Sequence, residues 1–408
     1  MSDKNFDVVI VGAGPSGAAC AIKLADSGLK VALLDKAVFP RDKTCGDALS
    51  LDIINQLPML SGALVAEFEA MENKLPSYGV KIFSPDHHHI DIPFIYKNEK
   101  RCGYISPRLN FDNLLFQHVK QYPAISIFEN CAASSVAVKK DAVVIETNLG
   151  TFSAQMVIGA DGAHSVVSKH LANIKVEKEN YSAGLRIYYE GITSFHDENY
   201  IELYFFKDIL PGYLWIFPLG GNKANVGIGM LSSMVSGRKI NLKETLQHLL
   251  KTNPQIKARF EHAKPLETVK GYGLPLGSKK RLISGERFLL AGDAAALIDP
   301  FTGEGIGNAI RSGRVAAAHA IACFQQNNFS SAFNKAYDKE IYHRMWKEFK
   351  ISKTLQRVVM YPRLFNFVVK KAKQSKYLQK FLEQSLANVV NTRKIFGKPG
   401  FYFRMLFK

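Results

Sequence analysis

At 408 residues, 47% of them hydrophobic, the chain is long enough for two or more domains and too apolar for disorder to be the default. Its net charge of +17 is uneven: residues 331–408 hold 18 Lys and Arg against four acids, so +14 lies in the tail and the body is near neutral. Five scattered cysteines without C-x-x-C spacing argue against a disulfide framework or a zinc site and for a reduced, cytoplasmic chain. No apolar run approaches the ~20 residues of a membrane span, and Asp3 and Asp7 beside the first apolar run lead to the expectation of no signal peptide.

The first predicted element is a buried parallel strand, Val8, Val9, Ile10 and Val11. Gly12, Gly14 and Gly17 follow at G-x-G-x-x-G spacing and open an Ala-rich helix. Gly12 serves the tight turn, Gly14 the approach of backbone to a pyrophosphate, and Gly17 close helix–strand packing. The helix N-terminus offers bare N–H groups and the positive end of a dipole. A second apolar run, Val31 to Leu34, ends in Asp35, where a carboxylate meets a ribose hydroxyl in dinucleotide sites. Strand, glycines, helix, strand and acid in this order predict a dinucleotide-binding site.

The loop from Lys36 to Ser50 follows, with Pro40 and Gly46 excluding a regular element. Arg41 and Lys43 either reach phosphates or are a solvated basic loop. Residues 75–100 read as two strands joined at Ser84, Pro85 and Asp86. His87, His88 and His89 at that turn read as surface histidines, because neighbours on a strand face opposite ways and no carboxylate or Cys cluster joins them. A helix is predicted to start near Arg108 or Leu109, with Leu114, Leu115 and Val119 on its core face. Strands at 125–128, 133–138, 143–147 and 156–158 come next. From 166 to 272 the pattern changes to long alternating strands (185–189, 201–206, 213–218, 225–230), with helices at 242–250 and 254–260. This predicts a second domain, on an antiparallel sheet, inserted into the first. A strand at 287–290 returns to the first domain. In the tail Ile341, Met345, Phe349 and Leu355 recur at helical spacing, Pro362 breaks the run, and Phe381, Leu382, Leu386, Val389 and Val390 form another face. With Lys370, Lys371, Lys373, Lys376, Lys380 and the aromatic end Phe401, Tyr402, Phe403 and Phe407, the tail is either a surface for anionic lipid or a solvated helical cap. No nucleic-acid-binding module is present.

Two further motifs follow predicted strands: Gly159-Ala160-Asp161-Gly162, and Ala291-Gly292-Asp293 with Asp299-Pro300 and Gly303-Glu304-Gly305-Ile306-Gly307 downstream. Together with the opening fingerprint they resemble the FAD-dependent oxidoreductases of the para-hydroxybenzoate hydroxylase fold group. The resemblance implies that Asp293 accepts bonds from the ribityl chain. It also implies that the Gly303–Gly307 segment leads into a helix whose N–H groups face the flavin N1–C2=O edge. Arg108, Phe111 and Asp112 match the group's Arg-x-x-Phe-Asp pattern, which implies a place for Arg108 beside the cofactor. Pro211 to Pro218, PGYLWIFP, resembles the Tyr-x-Trp-x-Phe-Pro signature of the geranylgeranyl reductase family. Period-two spacing sends Tyr213, Trp215 and Phe217 to one face; they are either domain core or a stiff wall for an isoprenoid chain. Cys45-Gly46-Asp47 follows Lys43 as in that family's Lys-x-Cys-Gly-Gly-like loop, with Asp47 departing from its second glycine. Cys45 either delivers a proton at the flavin or packs as a small residue. Flavin-dependent halogenases carry a related strand, but Tyr213 and Phe217 replace the residues expected there and the halogenase lysine has no counterpart.

The fold expected is α/β: a Rossmann-type FAD-binding domain (1–74, 101–165, 273–330), an inserted antiparallel β-sheet substrate domain (75–100, 166–272) and a basic helical C-terminal region (331–408). The resemblance implies a flavin-dependent reductase of double bonds in an isoprenoid or other lipid chain, with FAD held non-covalently and no metal. An oxygenase or halogenase, or a lipid- or electron-carrying flavoprotein at a membrane surface, are the alternatives. Candidate cofactor residues are Gly12, Gly14, Gly17, Asp35, Lys36, Arg41, Cys45, Gly46, Arg108, Asp161, Gly292, Asp293, Gly303, Gly305 and Ile306. Candidate substrate residues are Tyr204, Tyr213, Trp215, Phe217 and Pro218, with Cys45 the catalytic candidate. The electron donor, NADPH or a ferredoxin-like protein, is left open, as is peripheral contact with the inner face of the membrane through the basic tail.

Overall fold

A computed structural model describes residues 4–375, 378–380, 382 and 383; the expected faces at Phe381, Leu386, Val389, Val390 and residues 401–407 lie outside the described residues. In chain order the principal strands are β1 (Lys4–Val11), β2 (Val31–Leu34), β3 (Gly79–Phe83), β4 (His89–Pro93), β5 (Ile125–Phe128), β6 (Ala133–Val138), β7 (Val143–Thr147), β8 (Gly150–Gly159), β9 (Tyr181–Glu190), β10 (Ile201–Tyr204), β11 (Tyr213–Gly220), β12 (Lys223–Leu231), β13 (Lys270–Pro275) and β14 (Phe288–Leu290). The principal helices are α1 (Pro15–Leu24), α2 (Leu51–Leu60), α3 (Arg108–Lys120), α4 (Leu242–Thr252), α5 (Ile306–Gln325), α6 (Ser331–Val358) and α7 (Pro362–Gln374).

The first sheet runs β5-β2-β1-β8-β7-β6, with β14 on the other side of β8. Pairing is parallel from β5 through β2, β1 and β8 to β14, and antiparallel from β8 to β7 to β6. The short central strands are apolar at every position, and β2 and β14 are buried throughout, as two-sided cover by helices requires. Register matters most here. Val11 pairs with Gly159 and Gly159 with Leu290, so β1, β8 and β14 end side by side. The three motif turns therefore leave the sheet at one edge, at the carboxyl ends where open α/β sheets bind ligands.

The second sheet runs β9-β12-β11-β10-β3-β4, with β13 pairing β9. The expected antiparallel sheet is present, with one parallel seam between β10 and β3, where the hairpin from a separate stretch of chain joins the inserted strands. The helix expected at 254–260 is corrected: only a single turn, Lys257–Phe260, forms. Pro254 pushes Asn253 into extended backbone (φ −69°, ψ 124°), which ends α4.

The two tail helices belong to different cores. α6 buries Tyr337, Ile341, Met345 and Phe349 in the core of the first sheet, and α7 buries Phe365, Val369 and Ala372 against Ile90, Ile92 and Phe205 of the second. Pro362 sits in the first turn of α7, so the break between the helices falls where the sequence places it.

Candidate active site

Between the two sheets lies a cavity of about 810 Å³. Its dinucleotide end is built from the glycine turn. Gly12 has φ +99°, and a Cβ there would meet the Ala160 carbonyl; a Cβ on Gly17 would overlap the Gly12 carbonyl oxygen. Only glycine allows this turn and this contact. No side chain caps α1, so its first N–H groups are left for an anion. Asp35 accepts hydrogen bonds from Ala13 N at 2.7 Å and Ala37 N at 2.9 Å, bracing the glycine turn while it lines the cavity. Gly14, Lys36 and Arg41 line the same end. These features fit the pyrophosphate and ribose of FAD.

The middle of the cavity brings together Cys45, Gly46, Arg108, Asp161, Asp293, Gly303, Gly305 and Ile306. Gly305 begins α5 with no side-chain cap, and Asp299 fixes the turn before it by accepting from Phe301 N and Thr302 N, both at 2.9 Å. Lys43 lies 3.6 Å from Asp293 and over the Tyr272 ring. Arg108 is buried and makes a two-pronged pair with Asp112, at 2.6 and 2.7 Å, which Arg41 joins at 2.6 Å. Burial opposes the charge on Asp112, but the two guanidinium groups outweigh it and hold that carboxyl below the usual range. The Arg108 guanidinium also faces Cys45. Asp161 lines the cavity with its carboxylate engaged by the Ser165 hydroxyl and Val166 N. Gly17 and Gly292 stand behind the wall: a Cβ on Gly292 (φ +61°) would come 2.9 Å from Ser16 Oγ.

Tyr213, Trp215 and Phe217 form a continuous wall, with successive ring centroids 6.2 Å apart. Gly227 lies under the Trp215 ring, and Gly46 faces Phe217, where a Cβ would come within 2.9 Å of the ring. Beyond the wall the cavity continues as an apolar arm of Val80, Ile82, Ile92, Phe94, Leu203, Phe205, Phe301 and Leu355. Tyr204 and Pro218 are corrected: neither lines the cavity. Leu203 lies opposite Trp215 across the ladder and Tyr204 opposite Leu214, so Tyr204 points to the other face. There it stacks on Phe83 at 4.0 Å and donates to Glu202. Pro218 shares that parity.

Sequence reasoning missed a polar cluster behind the wall. Asn225 Oδ1 accepts from Trp215 Nε1 at 2.9 Å, and Asn225 Nδ2 donates to the Cys45 carbonyl and to Asp47 Oδ2, at 2.8 and 2.7 Å. Tyr188 Oη donates to the same Asp47 oxygen at 2.6 Å. The signal was an Asn in strand β12, which is otherwise apolar from Ala224 to Leu231.

The FAD binding domain family matches residues 5–351. A digeranylgeranylglycerophospholipid reductase from Thermoplasma volcanium is 30% identical over 353 residues, 84% of each chain. A menaquinone reductase from Mycolicibacterium smegmatis is 27% identical over 400 residues, 94% of this chain and 92% of that one. A geranylgeranyl bacteriochlorophyll reductase-like protein from Thermoplasma acidophilum shares the fold with a TM-score of 0.80 at 23% identity, over 97% of this chain and all of that one. With glycine turns, helix N-terminus and acid all meeting at one cavity, the chain belongs to the geranylgeranyl reductase family of FAD-dependent oxidoreductases.

Proposed function

We propose that this oxidoreductase saturates carbon–carbon double bonds in an isoprenoid or other lipid chain. The observation that carries the reading is the apolar arm, which opens from the aromatic wall beside the cofactor residues and offers a chain of methyl-branched carbons a dry path. The relatives named for digeranylgeranylglycerophospholipid and for menaquinone support it, since both names denote molecules with isoprenoid chains. When bound and reduced, FAD would supply the hydride. The chain's own residues hold and orient: the α1 and α5 N-termini take the phosphates and the flavin edge, Asp293 the ribityl chain, and the wall the prenyl chain. Cys45 Sγ, beside Arg108, supplies the proton to the second carbon. If the wall holds substrate, Trp215→Phe keeps the fold and FAD occupancy but changes how many double bonds are reduced or which chain lengths are accepted. Tyr213→Phe tests the hydroxyl alone. Both variants matching the parent in rate and product pattern across several chain lengths would make the wall ordinary core.

The outer face of α7 supports peripheral contact with a membrane. Leu364 and Phe367 are exposed on it, with Met360 exposed in the turn just before, flanked by exposed Arg363 and Lys370, while the opposite face closes over the apolar arm's residues. No helix among the described residues is long and apolar enough to cross a membrane. The protein is expected to float with vesicles containing anionic phospholipid and not with purely zwitterionic ones. The double variant Leu364→Glu/Phe367→Glu is expected to remain in the unbound fraction; unaltered flotation would remove α7 from the contact.

A further inference from the structure

Asp47 is a buried residue that the proposed mechanism leaves unused. Its side chain is fully enclosed, and its backbone is left-handed (φ +67°), a conformation that Asp tolerates better than most residues. Its carboxylate is the hub of the cluster behind the wall. Oδ2 accepts from Tyr188 Oη and Asn225 Nδ2, and Oδ1 accepts from Arg108 N, at 3.3 Å, at the start of α3. Through Asn225 it is tied to both surfaces that enclose the substrate position, the Cys45 carbonyl and the Trp215 indole.

We propose that Asp47 is a positioning residue whose carboxylate form holds Trp215 in register against the Cys45–Gly46 loop, and whose protonation releases it. This rests on reading the aromatic wall as the substrate surface. Protonation removes the charge that strengthens both bonds to Oδ2, and a proton on Oδ2 itself competes with Tyr188 and Asn225 for that oxygen. If Asn225 swings away, the indole loses its acceptor and the Cys45 carbonyl its donor. Burial pushes the Asp47 carboxyl up to about 6, against the Tyr188 and Asn225 hydrogen bonds, the Arg186 charge and the Arg108 N–H. The groups facing it are Arg186 and Tyr188 from β9, Asn225 from β12, the N-terminus of α3 with Arg108, and Cys45 on its own loop. Arg186 stacks over Tyr188 at 4.1 Å and pairs with Asp42 and Glu267, so its charge is anchored outside the cluster.

The test uses the FAD-loaded protein. The chain has two tryptophans, Trp215 and Trp346, so the indole N–H region of a nitrogen-15 spectrum has two side-chain signals, assigned with Trp346→Phe. The Trp215 signal is expected to shift with a midpoint near pH 6 in the parent and to stay fixed in Asp47→Asn. Tyr188→Phe removes one donor to the carboxylate, keeps the ring under Arg186, and is expected to raise the midpoint. With geranylgeraniol as the probe, KM in the parent is expected to rise about tenfold near pH 5, where the competent form is about a tenth populated, and to be flat in Asp47→Asn. A Trp215 signal that does not move between about pH 5 and pH 7, or one that still titrates in Asp47→Asn, overturns the proposal. If geranylgeraniol is not reduced at any pH, the substrate reading fails, and the indole titration alone decides the role of Asp47.

Discussion

Gly17→Ala is expected to leave a folded protein that no longer retains FAD. The added methyl would overlap the Gly12 carbonyl oxygen, a backbone atom fixed by the turn it belongs to, with the Ala160 methyl close behind. Overpacking of this kind costs about 3 kcal/mol. The only outlet is to open the turn that cradles the pyrophosphate, so the cost falls on the cofactor: roughly a hundredfold in affinity at 1.4 kcal/mol per tenfold. Gly62→Ala is the control, since a Cβ there has no neighbour within 4 Å. The ratio of flavin to protein absorbance after gel filtration reads the outcome, with circular dichroism reporting the fold. Full retention of FAD by Gly17→Ala would mean the turn is not the cradle.

Asp112→Ala is expected to give the largest loss of stability. Asp112 is fully buried, and its removal leaves the Arg108 guanidinium, itself 4% exposed, without a counter-charge beyond the reach of water. Breaking a buried pair from one side costs about 3–5 kcal/mol, read by urea unfolding. The pH dependence has a definite sign. The folded carboxyl lies below its ordinary value, so the pair's contribution is present above the unfolded value and lost as pH falls through the folded one. Asp47 runs the other way. Its folded value is raised to about 6 from 3.8, so the folded state is favoured below 3.8 and that advantage is lost as pH rises through about 6. Above that, ionised Asp47 costs the fold about 3 kcal/mol. Asp47→Asn is expected to remove that slope, a stability gained at the expense of the wall's register.

The glycine turn and Asp35 were legible because each residue answers to a local constraint: a φ above zero, a backbone contact, a strand end. Parity along β11 was legible for the same reason, and Tyr213, Trp215 and Phe217 do share a wall. Tyr204 was not, because its face depends on how β10 is registered against β11, and residue spacing alone does not fix a register. The Asp47 cluster was hidden by distance: Tyr188 and Asn225 reach it from 141 and 178 residues along the chain. The tail's charge drew attention to its surface, whereas its apolar residues complete two cores. Tyr337, Ile341 and Met345 seal the first, and Phe365 and Val369 the second.

The central claim is that reduced cofactor and lipid chain react directly across the cavity. The decisive measurement is a single-turnover reaction without oxygen, in which the chemically reduced protein is mixed with geranylgeraniol and followed by flavin absorbance and product mass. Reoxidation of the flavin with a gain of two hydrogens per turnover is the expected result. A flavin that stays reduced until oxygen is admitted, and then yields a hydroxylated or halogenated product, would contradict it.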